Sequence, residues 1–240
     1  MNLGIKKAFI LAGGEGTRLR PITYEMQKAM MPVHGKPVLQ WNIELCKRYD
    51  VKEVVLAIGY KHEQIEDYFG NGKKFGLKIK YNVEKKFLGT AGALKFAEKD
   101  FKREKKFIMM NGDECKTVDF KALDGVFERN GATAAIALTP INYTAAGGLV
   151  KTRNEKILDF DEKPKGERKG RKMINAGAYI LSSKILDYIP ARKMISIEKE
   201  TFPQLVEEGK AFAKPCVKQF FQTDTFERYE KAIFNWKGWK

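Results

Sequence analysis

Residues 8–14, AFILAGG, constrain this chain more than any other stretch. An apolar run from Ala8 to Ala12 breaks directly into Gly13, Gly14 and Gly16, followed by Thr17 and Arg18, with Lys28 ten residues further on. A strand that ends in a glycine turn leaves bare backbone N–H groups around a small concavity, and such concavities hold phosphates. Arg18 and Lys28 add two positive charges beside it. The spacing is not that of a Walker loop, which needs four residues between its glycines and then Gly-Lys-Ser/Thr. Nor is it a complete dinucleotide fingerprint: Gly14-Glu15-Gly16 starts one, but Leu19 stands where the third glycine belongs. Taken alone, the glycines read equally well as a tight strand-to-helix connection. With the two cations they read as a polyphosphate site of a nucleotide-using enzyme.

The chain of 240 residues suits one large α/β domain. With 43% hydrophobic and 31% charged residues it can bury a substantial core. No apolar run is long enough to span a bilayer, so membrane insertion is not expected. The first residues lack the shape of a secretory signal, because their apolar stretch runs straight into the glycine turn. Cys46, Cys115 and Cys216 are too scattered for a disulfide framework or a metal-ligand spacing. They are expected to be buried, reduced thiols in a cytoplasmic protein.

A net charge of +15 favours acidic partners. Its densest part is 163–172, KPKGERKGRK, with six basic residues in ten. No aromatic residue is interleaved there to stack a base, so a solvated loop is expected and a nucleic-acid partner is not. Attraction of small phosphorylated molecules accounts for part of the excess.

Through the first half, strand-like runs at 6–12, 53–58, 77–83 and 106–110 alternate with helix-like segments at 37–49, 62–69 and 90–99. Such alternation predicts a mostly parallel central sheet with helices on both faces. Ligands of such sheets bind at the carboxyl ends of the strands, where Gly13-Gly14 and Asn111-Gly112-Asp113 fall. The second half has strand-like runs at 132–138, 149–152, 156–160 and 173–181 with few helices between them, then helical segments at 183–189, 198–208 and 225–236. It predicts a smaller mixed β portion.

The run LAGGEGTRLRPIT (11–23), with Lys28, Met31-Pro32-Val33 and Gly35-Lys36-Pro37, resembles the signature of the sugar-1-phosphate nucleotidyltransferases. Those closest in pattern are the mannose-1-phosphate guanylyltransferases, through 195–203 (ISIEKETFP), and the short heptose-1-phosphate guanylyltransferases. The resemblance implies a Rossmann-like fold and transfer of a nucleotidyl group from a nucleoside triphosphate to a sugar-1-phosphate, with release of pyrophosphate. GTP with mannose-1-phosphate is the leading pair, and glucose-1-phosphate with dTTP or UTP the runner-up. The alternative is a regulatory relative that binds nucleotide-sugar and turns over poorly. Gln27 departs from the family, which has proline before the lysine; only a local change in loop stiffness is expected. The expected organisation is a nucleotide-binding half at about 1–115 and a sugar-binding half at about 116–240. No C-terminal β-helix is expected, and self-association into a homo-oligomer stays open.

By the same resemblance, Arg18, Lys28 and Asp113 are catalytic. Arg18 would hold the departing phosphates, Lys28 the α-phosphate charge, and Asp113 a Mg²⁺ ion. Leu11, Ala12, Gly13, Gly14, Gly16 and Thr17 would bind the nucleotide, with Glu84, Gly89 and Thr90 near its base. Leu88-Gly89-Thr90-Ala91-Gly92 looks like the family's base-binding turn, whose following helix would offer free N–H groups. Asn111, Gly148, Glu162, Lys163 and Asn175 would hold the sugar phosphate, with Gly147 in place of the family's tyrosine. The family's second metal carboxylate is aspartate, but the matching position here is Gln222. Gln222 or nearby Asp224 would then complete the metal site. His34 and His62 lie in no nucleophile-bearing motif and are expected at the surface or in loops. The sugar phosphate is already an anion, so the chemistry needs alignment and charge neutralisation rather than a general base.

Overall fold

A computed structural model describes residues 3–141, 148–162 and 172–239. Along the chain run β1 (Lys7–Leu11), α1 (Ile22–Glu25), β2 (Pro32–Val33), β3 (Lys36–Pro37), α2 (Val38–Arg48), β4 (Glu53–Ile58), α3 (His62–Phe69) and β5 (Lys78–Val83). Next come α4 (Gly89–Phe96), α5 (Glu98–Phe101), β6 (Lys106–Asn111), β7 (Glu114–Val118), α6 (Phe120–Arg129) and β8 (Ala134–Ile141). The remainder comprises β9 (Leu149–Arg153), β10 (Lys156–Asp161), β11 (Lys172–Ser182), α7 (Phe202–Glu207), β12 (Ala211–Pro215), β13 (Val217–Gln222) and α8 (Phe226–Asn235). The residues divide into two compact units. Unit 1 holds residues 1–87, 110–117 and 219–240; unit 2 holds 88–109 and 118–218.

In unit 1, β1 pairs parallel with β4, and β4 parallel with β5. Ala8, Phe9 and Ile10 of β1 are fully buried, as are Val54, Leu56, Ala57 and Ile58 of β4. Near-continuous burial, rather than alternation, is what a parallel strand covered on both faces requires. The turns after β1, β4 and β5 therefore share one edge. The turn after β6 joins them, because the Gly112 N–H donates to the Leu11 carbonyl at 2.8 Å.

Within unit 1, the chain's last segment is anchored by its two tryptophans packed on Trp41. Trp41 of α2 meets Trp236 and Trp239 edge-on at ring separations of 5.6 and 5.8 Å. Val33, Val38, Cys115 and Ala232 fill in around them. Edge-to-face aromatic pairs add about 0.5–1.5 kcal/mol each beyond the area they bury. This packing fixes α8, and with it the Gln222–Thr225 turn that precedes it.

In unit 2 the arrangement is mixed. β8 pairs antiparallel with β11 and parallel with β12, while β10 pairs antiparallel with β9 and β12. A bulge interrupts β11 between Asn175 and Tyr179. The 198–208 segment, expected as one helix, divides into a five-residue π turn at 197–201 and α7. Pro203 lies in the first turn of α7, where its missing N–H costs nothing. Sequence periodicity missed α6, β7, β12 and β13. The three thiols are free and buried, and burial pushes each up to about 12. His34 sits exposed in the β2–β3 turn and His62 opens α3. No helix among the described residues is long and apolar enough to cross a membrane.

Candidate active site

The glycine turn is built around Lys28. Gly16 has φ +64°, a left-handed conformation that glycine tolerates, and a Cβ there would fall 3.0 Å from Thr23 Cγ2 and 3.1 Å from Lys28 Cβ. The Gly16 backbone thus rests on the lysine stem. Thr23 adds a hydroxyl bond to the Gly16 carbonyl at 2.9 Å. Gly13, Gly14, Gly16 and Thr17 line a cavity of about 580 Å³ together with Gly59, Tyr60, Glu84, Lys85, Lys86 and Phe87. Of the expected nucleotide residues, Gly13, Gly14, Gly16, Thr17 and Glu84 therefore gather here; Gly89 and Thr90 belong to unit 2, and Leu11 and Ala12 do not line the cavity. Leu11 gives its carbonyl to Gly112, and Ala12 gives its N–H to Ala57 and its carbonyl to Gln27. These two shape the turn from beneath.

Lys28 Nζ donates to Asp113 Oδ2 at 2.5 Å, and its side chain is 11% exposed. Burial works against its charge, but the Asp113 carboxylate outweighs burial and raises the ammonium above the usual lysine value, with Asp224 and Glu114 assisting. Asp113 answers in kind. Burial alone would raise its carboxyl, yet Lys28, with Lys116 behind it, holds it below the usual carboxylate range.

Glu114 points elsewhere: it accepts from the fully buried Lys116 ammonium at 2.8 Å. Burial pushes the Glu114 carboxyl up, and neighbouring Asp113 adds to that against the pull of Lys116. Asn42 of α2 braces the turn between them. Its Nδ2 donates to the carbonyls of Gly112 at 3.3 Å and Glu114 at 3.0 Å, one on each side of Asp113.

The last segment closes on the same turn. Thr223 Oγ1 donates to the Asp113 carbonyl at 2.8 Å. Asp224 is shared by two guanidinium groups, Arg18 at 2.7 Å and Arg228 at 2.9 Å. Arg18 is otherwise open, with 65% of its side chain exposed. Gln222 ends β13 and is half-buried. Asp113, Gln222 and Asp224 offer only oxygen donors, which suit a hard divalent cation. Among the described residues no three His, Cys, Asp or Glu side chains are gathered as a metal cage. The donor set fits an ion that keeps most of its shell for water and phosphate oxygens, as Mg²⁺ does.

Unit 2 carries the expected base and sugar residues. Thr90 is tied to the 195–198 segment: its hydroxyl donates to Glu198 at 2.7 Å and accepts from the Ile197 N–H at 2.8 Å. Ala91 and Gly92 both donate to the Ile195 carbonyl, at 3.0 and 3.3 Å. The free N–H groups expected at this helix start are thus already engaged in part. Gly148, Glu162 and Asn175 do come together. A Cβ on Gly148 would fall 2.5 Å from a Glu162 carboxylate oxygen, so only glycine lets the carboxylate lie there. The Asn175 N–H donates to the Gly148 carbonyl at 2.9 Å. The Asn175 carboxamide spans the β11 bulge, donating to Tyr179 Oη and accepting from the Gly177 N–H. Asn111 ends β6, half-buried. Gly147, Lys163 and the basic run to Arg171 lie outside the described residues.

Sequence reading gave Gln27 no role beyond loop stiffness and missed Asn42, Tyr60, Lys85, Lys86 and Arg228. For Asn42 there was a signal, a lone amide on the apolar face of α2. For Lys85 and Lys86 the signal was adjacency to the carboxyl end of β5.

The family model for nucleotidyl transferases matches residues 7–239, and the chain belongs to that family. It is 39% identical over 203 residues to a mannose-1-phosphate guanyltransferase of Yarrowia lipolytica, covering 83% of this chain and 55% of the relative. It is 35% identical over 220 residues to a UTP–glucose-1-phosphate uridylyltransferase of Synechocystis, covering 86% and 56%. The chain thus spans about half the length of these curated relatives. Among solved structures, HddC from Yersinia pseudotuberculosis is 29% identical, with 97% of this chain and 100% of that one covered. The TM-score is 0.82, and 0.79 for its complex with GMP-PN.

Proposed function

We propose that this chain transfers a nucleotidyl group from a nucleoside triphosphate to a sugar-1-phosphate. The observation that carries this reading is the glycine turn folded onto Lys28, with the Lys28–Asp113 pair 2.5 Å apart beside it. The sugar phosphate oxygen attacks the α-phosphorus. A new P–O bond forms, the bond to the β-phosphate breaks, and pyrophosphate leaves with the electron pair. The N–H groups of Gly13–Gly16 hold the triphosphate, Lys28 neutralises charge growing at the α-phosphate, and Arg18 exchanges Asp224 for the departing phosphates. Glu162 and Asn175 accept and donate hydrogen bonds to sugar hydroxyls, with Gly148 giving them room. A Mg²⁺ ion held by Asp113, with Gln222 or Asp224, would supply further neutralisation of the phosphate oxygens.

GTP and mannose-1-phosphate are the preferred pair. The Yarrowia relative named for that reaction and the GMP-PN complex of HddC support the choice. UTP or dTTP with glucose-1-phosphate is the second reading, supported by the Synechocystis relative. A regulatory reading draws on Gln222, an uncharged amide where the family carries a carboxylate. A matrix of four triphosphates against mannose-, glucose- and heptose-1-phosphates, read by pyrophosphate release, tests all three. The highest kcat/KM should fall at GTP with mannose-1-phosphate. A maximum at UTP or dTTP with glucose-1-phosphate selects the second reading, a maximum at any other pair overturns both substrate choices, and nucleotide-sugar binding without turnover in any cell selects the third.

A further inference from the structure

Gln27 sits where three pieces of unit 1 cross, and its side chain is almost fully buried. Its Nε2 donates to the Ala12 carbonyl at 2.6 Å, and its Oε1 accepts from the Ala29 N–H at 2.5 Å. Ala12 leads into Gly13, while Ala29 lies in the single turn, 28–30, that begins with Lys28. One carboxamide therefore spans the base of the glycine turn and the base of the lysine turn. A trans peptide points its C=O and N–H in opposite directions, so holding the Ala12 carbonyl also sets the aim of the Gly13 N–H.

A second glutamine completes the arrangement. Gln27 donates its backbone N–H to Gln64 Oε1 at 2.8 Å, and Gln64 Nε2 donates to the Glu25 carbonyl at 2.7 Å. Yet the backbone at Gln27 does not require glutamine. Its φ of −63° and ψ of 134° are those of a proline, and Met26 before it, at −125° and 134°, has the extended shape a proline imposes on its predecessor. What glutamine adds is the pair of side-chain bonds, so its effect reaches beyond local loop stiffness.

We propose that Gln27 is a positioning residue for the transfer: its carboxamide locks the glycine turn to the Lys28 turn and fixes where the ammonium stands relative to the phosphate-facing N–H groups. The proposal rests on the assignment of Gly13–Gly16 and Lys28 to the triphosphate. Displacement of a catalytic group by about an ångström can cost on the order of a hundredfold in rate.

Two substitutions test it, assayed with the best substrate pair of the matrix above. Gln27→Met keeps the volume and removes both side-chain bonds; Gln27→Pro keeps the backbone shape and removes both, together with the N–H bond to Gln64. Both should lower kcat about tenfold or more while KM for the triphosphate stays within about twofold, in protein that still melts cooperatively above the assay temperature. Wild-type kcat in a folded Gln27→Met or Gln27→Pro enzyme overturns the proposal. A kcat loss that only tracks the loss of folded protein, measured by circular dichroism on the same samples, overturns it too. Lys28→Ala separates the two levels. If that variant turns over normally, the triphosphate assignment itself fails. If it is inactive while Gln27→Met is unimpaired, only the positioning role falls.

Discussion

At the scale of single residues, the site depends on opposed charges kept close in partly buried surroundings. Lys28 is the clearest case. Its ammonium is held charged by Asp113 against the cost of burial, so it is ready to meet an anion without a proton transfer. Lys28→Met should reduce kcat by about 10²–10³, the magnitude found on removing one preorganised charge-stabilising donor. It should also lower the melting temperature, because Asp113 is left without its partner. Adding Asp113→Asn should then restore part of the melting temperature and none of the turnover. Recovery of turnover in the double variant would refute the assignment of Lys28 to the chemistry. Arg18, Lys28, Asp113 and Glu162 were singled out by the resemblance of their motifs to the family's. Their partners were not, since Asp224, Arg228 and Asn42 reach the site from distant parts of the chain through tertiary packing. Pairing of Asp224 with Arg18 follows from where α8 is anchored, which no local pattern encodes, whereas its pairing with Arg228 is an i,i+4 contact.

At the scale of elements, α2 does more than cover a sheet face. Its buried Asn42 donates to Val38, Gly112 and Glu114 carbonyls, so the helix holds the turn that presents Asp113. Asn42→Leu preserves the apolar fit but leaves the Gly112 and Glu114 carbonyls short of a donor. Each unpaired buried polar group costs about 1–3 kcal/mol. The Asn42 Oδ1, which has no partner among the described residues, is removed at the same time and offsets part of that cost. The expected net destabilisation is about 1–3 kcal/mol by urea unfolding, with a fall in kcat because Asp113 is no longer held. Unchanged stability together with unchanged kcat would show that the brace is dispensable. Parallel strands β1 and β4 were readable because their burial is near-continuous. Strands β7, β12 and β13 were not, because charged and polar residues interrupt them: Lys116 is buried against Glu114, and Lys218 and Gln219 break the apolar run of β13. Helix α6 was missed although its apolar positions follow helical spacing and Asp119 caps it through the Ala122 N–H.

At the scale of the whole molecule, the charge excess of +15 acts as a long-range field rather than as a contact. Both proposed substrates are polyanions, and the cavity beside the glycine turn is lined by Lys85 and Lys86 as well as by Glu15 and Glu84, so the attraction comes from the net charge of the whole chain. A field of this sign raises encounter rates with anions and is screened over about 10 Å at 0.1 M ionic strength. Lys28 and Asp113, by contrast, are close, partly buried and weakly screened. The two levels therefore separate under salt. Raising KCl from about 0.05 to about 0.5 M should lower kcat/KM for the triphosphate several-fold, while kcat changes less than about twofold. Steady-state pyrophosphate release at constant pH and constant free Mg²⁺ measures both parameters. A matched fall in kcat would mean that screening reaches the reacting groups themselves, contrary to the burial of the Lys28–Asp113 pair. The same titration addresses the nucleic-acid reading that charge alone would suggest. Contacts to several phosphates of a duplex would give an affinity falling steeply with salt and indifferent to added nucleoside triphosphate. Inhibition of turnover by duplex DNA should instead be weak at about 0.15 M salt and relieved by GTP, because GTP competes for the glycine turn that Lys28 and Gln27 hold in place.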